Sequence, residues 1–262
     1  MKILKLSSTK NTRMNKNWIA NSNIENFWMS WRFKFLLSIL KREKIIINNK
    51  KKIMDLGCGN GVLSNQIENY RNVKIDRVDS DINSLRDNQK VRGKLICYNI
   101  ETKNKKIKNY YNIIFLFDVI EHVKNDKKFI SDTLFHLKKD GYLIINVPSL
   151  EFFFSKYDVA VGHLRRYDKK KLFSILDVKN NKIITTDYWG FSLILLLALR
   201  KIILKFYIKK NFNDIVSIGW KANSFTNMML KILMYIELKI MKYPLIGSSL
   251  MMVIQKKINV LF

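Results

Sequence analysis

The chain is 262 residues long, 48% hydrophobic, 12% aromatic and 26% charged, which is apolar material enough for one full core or two small ones. Two Cys exclude a disulfide framework, nine Gly and two Pro exclude a collagenous or linker-dominated chain, and residues 1–17 lack an apolar run of signal-peptide length. With Cys58 inside a Gly-rich turn, the expected compartment is reducing and cytoplasmic. The 48 Lys and Arg against 21 Asp and Glu give a net charge of +27, concentrated in residues 1–52 (13 basic, 2 acidic) and 178–262 (13 basic, 3 acidic). Such an excess favours nucleic acid, an anionic membrane surface or a phosphorylated substrate. A bias toward Lys, Asn and Ile would produce the same excess without any partner, so charge alone assigns none.

In chain order, residues 1–50 read as an N-terminal helical cap segment and 51–262 as one larger domain. KKIMDLGCG (51–59) is a buried-strand pattern stopped by glycine, and Val62, Leu63, Gln66, Ile67 and Tyr70 fall at helical spacing after it. A strand is expected over 73–81, a short helix over 82–90, and further strands over 94–100 and 110–120. Asn125 or Asp126 is placed to cap a helix running to Leu137, and Asp140-Gly141 turns into a strand over 141–149. Strand, helix, strand at this spacing predicts a parallel, doubly wound α/β sheet. Residues 151–167 are aromatic and basic; Asp168 caps another helix, and 181–189 is a sixth strand. Residues 191–208 are apolar but broken by Arg200, Lys201 and Lys205, short of the roughly 20 residues of a membrane span. A helix over 224–242 and a last strand over 248–257 complete the pattern. The stretches at about 150–168 and 190–243 are read as insertions on the substrate side.

The strongest signal is Asp55-Leu56-Gly57-Cys58-Gly59-Asn60-Gly61, between a strand and a helix. Three glycines in five positions let the backbone turn tightly and approach a ligand, and the helix that follows presents free N–H donors. A dinucleotide fingerprint spaces its third glycine one residue further on. The spacing here, with the preceding acid, resembles the D-x-G-x-G-x-G signature of class I S-adenosylmethionine-dependent methyltransferases. The resemblance implies a Rossmann-like, mostly parallel seven-stranded sheet with an antiparallel last strand, and S-adenosylmethionine as the cofactor. It places Asp55, Gly57, Cys58, Gly59 and Gly61 around the cofactor, Asp79 and Ser80 at the ribose, and Asn99 and Ile100 at the adenine. Phe117-Asp118-Val119-Ile120-Glu121-His122 resembles the family's D-V-L-E-H segment, which sets Phe117 and Asp118 beside the methionine portion.

Three further segments resemble one branch of this family: Asn26 through Arg32 its H-F-W-F/W-x-x-R segment, Val147-Pro148-Ser149 with Gly162-His163-Leu164-Arg165-Arg166-Tyr167 its V-P-A and G-H-x-R-R-Y blocks, and Pro244 through Leu250 its P-x-G-x-S-L lead. Members of that branch, mostly uncharacterised, often resemble enzymes acting on lipids, quinones or cell-surface saccharides. The expected reaction is methyl transfer to an oxygen of a small-molecule, lipid-linked or saccharide acceptor.

Methyl transfer from a sulfonium needs the two reactants held in line and, for a hydroxyl acceptor, a base. His122 and His163 are the candidate catalytic residues. Arg165, Arg166 and Tyr167 are candidates to clamp the acceptor, and Trp28 to cover it. His136 lies on a Lys-rich helix and is expected at the surface, while Cys58 and Cys97 lack metal-ligand spacing and no metal site is expected. An RNA methyltransferase and a non-catalytic membrane-associated protein retaining the fold are the alternatives. Base-amino methylation usually uses an N/D-P-P-F/Y segment where this chain has Phe117-Asp118-Val119-Ile120. Residues 191–208, with Lys209 and Lys210 beyond, can instead lie in an anionic membrane interface, giving a cytoplasmic protein peripheral to the membrane.

Overall fold

Short apolar runs ended by glycine or an acid become parallel strands in the computed structural model, which describes residues 2–8, 22–88, 90–206, 215, 223–241 and 243–257. The strands are β1 (Ile3–Lys5), β2 (Ile53–Leu56), β3 (Ile75–Asp79), β4 (Leu95–Cys97), β5 (Tyr111–Phe117), β6 (Leu137–Pro148), β7 (Asn181–Trp189) and β8 (Ser249–Lys256). They form one sheet in the order β1-β4-β3-β2-β5-β6-β8-β7. Every neighbouring pair is parallel except β6–β8 and β7–β8, so the last strand alone runs against the rest, as expected. The sheet has eight strands rather than seven. The addition is β1, whose three residues pair with Leu95–Cys97 at the edge and are too short to carry an alternation pattern.

Because side chains alternate along a strand, β5 feeds two cores. Ile114 and Leu116 pack with Met54, Val78 and Ile145 on one face. Ile113, Phe115 and Phe117 pack on the other with Ile53, Ile75 and the helix α1 (Phe27–Arg42). Asn26 caps α1 by accepting from the Trp28 N–H, and Phe35, Leu36 and Ile39 are fully buried beneath it. The helix of the cap segment is therefore part of the domain core, and residues 9–21 of that segment lie outside the described residues.

Among the described residues the other α-helices are α2 (Val62–Arg71), α3 (Ile82–Arg86), α4 (Asp126–His136), α5 (Lys156–Val161), α6 (Lys169–Ser174), α7 (Ile194–Phe206) and α8 (Ser224–Ile240). Asn125 and Asp168 cap α4 and α6 through their side chains. Chain order runs outward from β2 to β3 and β4, then returns to β5 on the other side. Ligands in such sheets bind outside the strand ends at that reversal. His136 departs from its expected place: it is fully buried, its ring nitrogens bonded to the Tyr98 hydroxyl at 3.2 Å and the Ile107 carbonyl at 3.1 Å. Of the expected membrane-interface stretch, residues 207–210 lie outside the described residues, as does Lys242 of the expected helix over 224–242.

Candidate active site

The turn after β2 takes its shape from left-handed backbone at Gly57, Gly59 and Gly61, with φ of 73°, 52° and 77°. Gly61 has a second constraint: a Cβ there would meet Asn88 Oδ1 at 2.1 Å and Arg77 Nη1 at 2.5 Å. Arg77 is buried under the turn, pairs with Glu68 at 2.6 Å and donates to Asn88, whose own amide donates to the Gly59 carbonyl at 2.7 Å. That buried network braces the loop from below. At Gly59 a Cβ would meet nothing within 4 Å, so the space beside the loop is open there.

Asp79, at the end of β3, accepts from the Gly59 N–H at 3.1 Å and the Asp81 N–H at 2.9 Å, and stays partly exposed. Burial raises its pKa above the ordinary carboxylate value, which hydrogen bonding partly offsets. Asp55 lies deeper than expected: it is buried, accepts from the Ser64 hydroxyl at 2.7 Å and ties β2 to α2 rather than opening into the crevice. Burial also pushes the Cys58 thiol well up, helped by Asp79 and Asp55, so it stays protonated. Ser80 and Asn99 are partly exposed on the same edge and Ile100 is buried. The Asn99 side-chain oxygen accepts from the Glu101 N–H at 3.3 Å, leaving a lone pair for a donor such as an exocyclic amine. The glycine cradle with acid and amide at successive strand ends fits S-adenosylmethionine.

Beyond β5 the backbone at Asp118 is left-handed, with φ of 56°. Its carboxylate accepts from Arg32 Nη1 at 2.5 Å and from Asn146 Nδ2 at 2.7 Å, and Asn146 Oδ1 accepts from Trp189 Nε1 at 2.9 Å. Trp189 is fully buried against Trp28, ring centroids 4.7 Å apart, and against Trp31 and Phe35. Trp28 therefore packs on this indole, with part of its surface exposed. Arg32, Asn146 and Trp189 were not among the expected site residues, although Arg32 stands inside the aromatic segment that pointed here.

Residues 120–163 bring both expected catalytic histidines together, ring centroids 4.9 Å apart. His122 Nδ1 lies 3.0 Å from the Gly162 carbonyl and so carries the hydrogen, which leaves Nε2 as a buried acceptor without a partner. Burial, aided by the charge of His163, lowers its pKa to about 4, so the ring is neutral near pH 7. His163 Nδ1 lies 3.0 Å from Asp158 Oδ1, which also accepts from Arg166 Nε at 2.8 Å. Burial alone would raise the Asp158 pKa; the bonds from His163 and Arg166 hold it down to about 2. Glu121 is fully buried, with neither carboxylate oxygen hydrogen-bonded and Oε1 3.9 Å from His163 Nε2; burial and the Asp118 charge raise its pKa well above the ordinary range.

Two expectations change here. Arg166 and Tyr167 do not face an acceptor: both are buried, Arg166 bonded to Asp158 and the Ser149 carbonyl, and the Tyr167 hydroxyl 2.8 Å from Asp126. Arg165 is partly exposed at the rim, although its guanidinium donates to Asp126 at 2.7 Å and to the Lys124 carbonyl. No metal site was expected; among the described residues Glu121, His122 and His163 place ligand atoms within 4.8 Å of one another, a set of donors able to take a divalent cation. The third member comes from 41 residues away, beyond the reach of any short spacing rule.

The sequence model of the family described as "Methyltransferase domain" matches residues 28–184. The ubiquinone biosynthesis O-methyltransferase of Rickettsia canadensis (strain McKiel) is 31% identical over 101 residues, 37% of this chain and 43% of that protein. The chain thus matches less than half the length of that curated relative. Among solved structures, a SAM dependent methyltransferase from Archaeoglobus fulgidus superposes with a TM-score of 0.52 at 12% identity, covering 85% of this chain and 94% of that one. The cyclase SpnF superposes with a TM-score of 0.55, also at 12% identity, covering 86% and 81%. At these identities the likeness shows a shared fold.

Proposed function

The chain belongs to the methyltransferase-domain family, and from that membership we propose that it transfers the methyl group of S-adenosylmethionine to an oxygen of a small-molecule acceptor. The observation that carries the acceptor atom is the convergence of His122 and His163, with Asp158 behind the latter, at the edge that also carries the glycine cradle. Val119, three residues before His122, stands against Gly57, where a Cβ would meet Val119 Cγ2 at 2.5 Å. The name of the matched relative supports an oxygen acceptor and makes a quinone-class phenol the first choice, with lipid-linked or saccharide hydroxyls behind it.

S-adenosylmethionine supplies a methyl group already activated for displacement, so this chain's residues have only to position and to move one proton. Asp158 accepts from His163 Nδ1 and so fixes the tautomer that presents Nε2 as a base to the acceptor hydroxyl. Arg166, buried at 2.8 Å from Asp158, keeps that carboxylate ionised. His122, neutral and fixed by the Gly162 carbonyl, lines the same space without adding positive charge beside the base. Glu121 lies 3.9 Å from His163 Nε2, and burial, with the Asp118 charge, disfavours its ionised form.

Calorimetry should detect S-adenosylmethionine binding to the full chain, and incubation with catechol and phenol acceptors should yield an O-methyl product by mass. His163→Ala should lower kcat at least about tenfold, within the range of general-base contributions, with cofactor affinity unchanged. Absence of cofactor binding, or methyl label found in RNA or on nitrogen, would overturn the assignment. No helix among the described residues is long and apolar enough to cross a membrane. The reading proposed for location is cytoplasmic and peripheral to a membrane, where an apolar acceptor would reside.

A further inference from the structure

Two helices turn their apolar stripes to solvent. On α7, Leu195, Leu199, Ile202 and Phe206 recur at spacings of three and four residues, one face of a helix, and are between 47% and 75% exposed. The only residue of α7 that is buried is Leu204. On α8, Phe225, Ile232 and Ile236 lie on one side and are between 46% and 67% exposed, while Met234 and Glu237 face inward. A sequence with this periodicity ordinarily buries such a stripe. Of the large hydrophobic side chains exposed among the described residues, most lie between Phe191 and Ile246.

The exposed or partly exposed charged groups on these two helices are all basic. Residues 191–246 hold nine Lys or Arg and two acids; Lys209, Lys210, Asp214, Lys221 and Lys242 lie outside the described residues, while Arg200 lies over Tyr157, Lys201 donates to the Phe152 carbonyl and Lys231 pairs with Glu25 at 3.3 Å. The other acid, Glu237, is buried and turned inward, where its carboxylate accepts from the N–H groups of Gly190, Phe191 and Ser192 at 3.1, 3.0 and 2.7 Å. It joins α8 to the start of α7 and leaves exposed Lys205 and Lys239 with no anion of their own helices on the outer side.

We propose that α7 and α8 together form a docking surface for an anionic phospholipid bilayer, with the apolar stripes inserted at the acyl boundary and the lysines among the headgroups. Charge selects this occupant: a second copy of the chain would set two positive faces against each other, whereas an anionic leaflet complements both the stripes and the lysines. The surface also adjoins the chemistry. Leu204 of α7 packs on Tyr157 and Val161 of α5, and the Arg200 guanidinium lies 3.7 Å from the Tyr157 ring centroid. The neighbouring residue, Asp158, holds His163. Docking through α7 thus brings the histidine pair to the bilayer surface, where an acceptor with a lipid tail can enter. The inference deepens the peripheral location proposed above and does not depend on the methyl-acceptor assignment.

The test is flotation of the full chain with phosphatidylcholine vesicles containing none, about a quarter and about half phosphatidylglycerol, at low and high salt, alongside calorimetric cofactor binding. Bound fraction should rise with anionic lipid and fall with salt. The pairs Leu199→Glu with Ile202→Glu, and Ile232→Glu with Ile236→Glu, should each weaken vesicle partitioning by about tenfold or more, with unchanged circular dichroism and cofactor affinity. Ile46→Glu, at an apolar residue 66% exposed elsewhere, is the control and should partition as the wild type. No flotation with strongly anionic vesicles at low salt, equal binding to neutral vesicles, or wild-type partitioning by both pairs would overturn the proposal. So would a dimer that these substitutions dissociate in a chain that does not float. A chain that floats but does not bind S-adenosylmethionine supports the docking surface and overturns the donor assignment alone.

Discussion

Asp158→Asn tests the buried centre of the site, because the substitution keeps the shape of the side chain and removes its charge. The native carboxylate is fully buried and accepts from His163 at 3.0 Å, from Arg166 at 2.8 Å and from the Ser155 N–H at 3.0 Å. Those contacts hold it at about 2 against an ordinary 3.8, a difference equivalent to about 2 kcal/mol of native-state stabilisation. A carboxylate depressed in the fold contributes its full stability above the unfolded value and loses it as pH falls through the folded one. At pH 7 the variant should therefore be less stable than wild type by about 2 kcal/mol, rising to about 4 if Arg166 is left without a counter-ion. By about pH 3 wild type has lost roughly 1 kcal/mol of this contribution and the variant none, so the gap should narrow by that amount. Urea denaturation of both proteins at the two pH values measures it. A gap of the same size at both would show that the Asp158 charge is not what the fold uses there.

Other perturbations separate roles that one inspection would merge. Gly61→Ala, strained at a φ of 77° and driven into Arg77 and Asn88, should lower stability by about 2 kcal/mol or more in thermal denaturation. Gly59→Ala meets open space, so calorimetry should show cofactor affinity falling more than stability does. Asp79→Ala should weaken cofactor binding by roughly 1–3 kcal/mol through lost charged hydrogen bonds; unchanged affinity removes it from the site. Arg32→Met removes the cation from Asp118 in a setting only 5% and 14% exposed and should cost about 3 kcal/mol in denaturation, with cofactor affinity reduced as the Asp118 carboxylate is freed.

The parts of the fold visible in the sequence are those where chain period and direction coincide. β2, β4 and β5 are apolar runs between turn residues, whereas β6 starts at Leu137 and runs through Asp140-Gly141, where a turn was expected; Asn125 and Asp168 announce their helices because a side-chain cap is a local bond. The glycine turn was legible for the same reason, since its three left-handed residues follow one another. Side-chain direction in a loop is not local. Nothing in Gly162-His163-Leu164-Arg165-Arg166-Tyr167 says that His163 stays partly exposed while Arg166 and Tyr167 are buried, because Asp158 and Asp126 decide that from elsewhere. Glu121 stood within a recognised motif, but its lack of hydrogen-bond partners is a property of the folded interior. Periodicity on α7 defined a face, not the side from which protein would be missing. His136 shows the converse: lysines around it in sequence pointed outward while the ring itself turned in to Tyr98.

The placement of β8 has a consequence for biosynthesis. It lies between β6 and β7, and β7 has no other neighbour. A ribosome therefore delivers β7 before the strand that is to hold it, and then the whole excursion from Gly190 to Ser248, including both outward-facing helices. Until residues 249–256 emerge, β6 and β7 each present an open edge, the state in which nascent sheets pair with the wrong chain. Closure is then a single late event, the insertion of one strand between two waiting ones, with loop entropy set by the excursion. Shortening residues 190–248 should change how fast the chain escapes its chaperones more than it changes the finished fold.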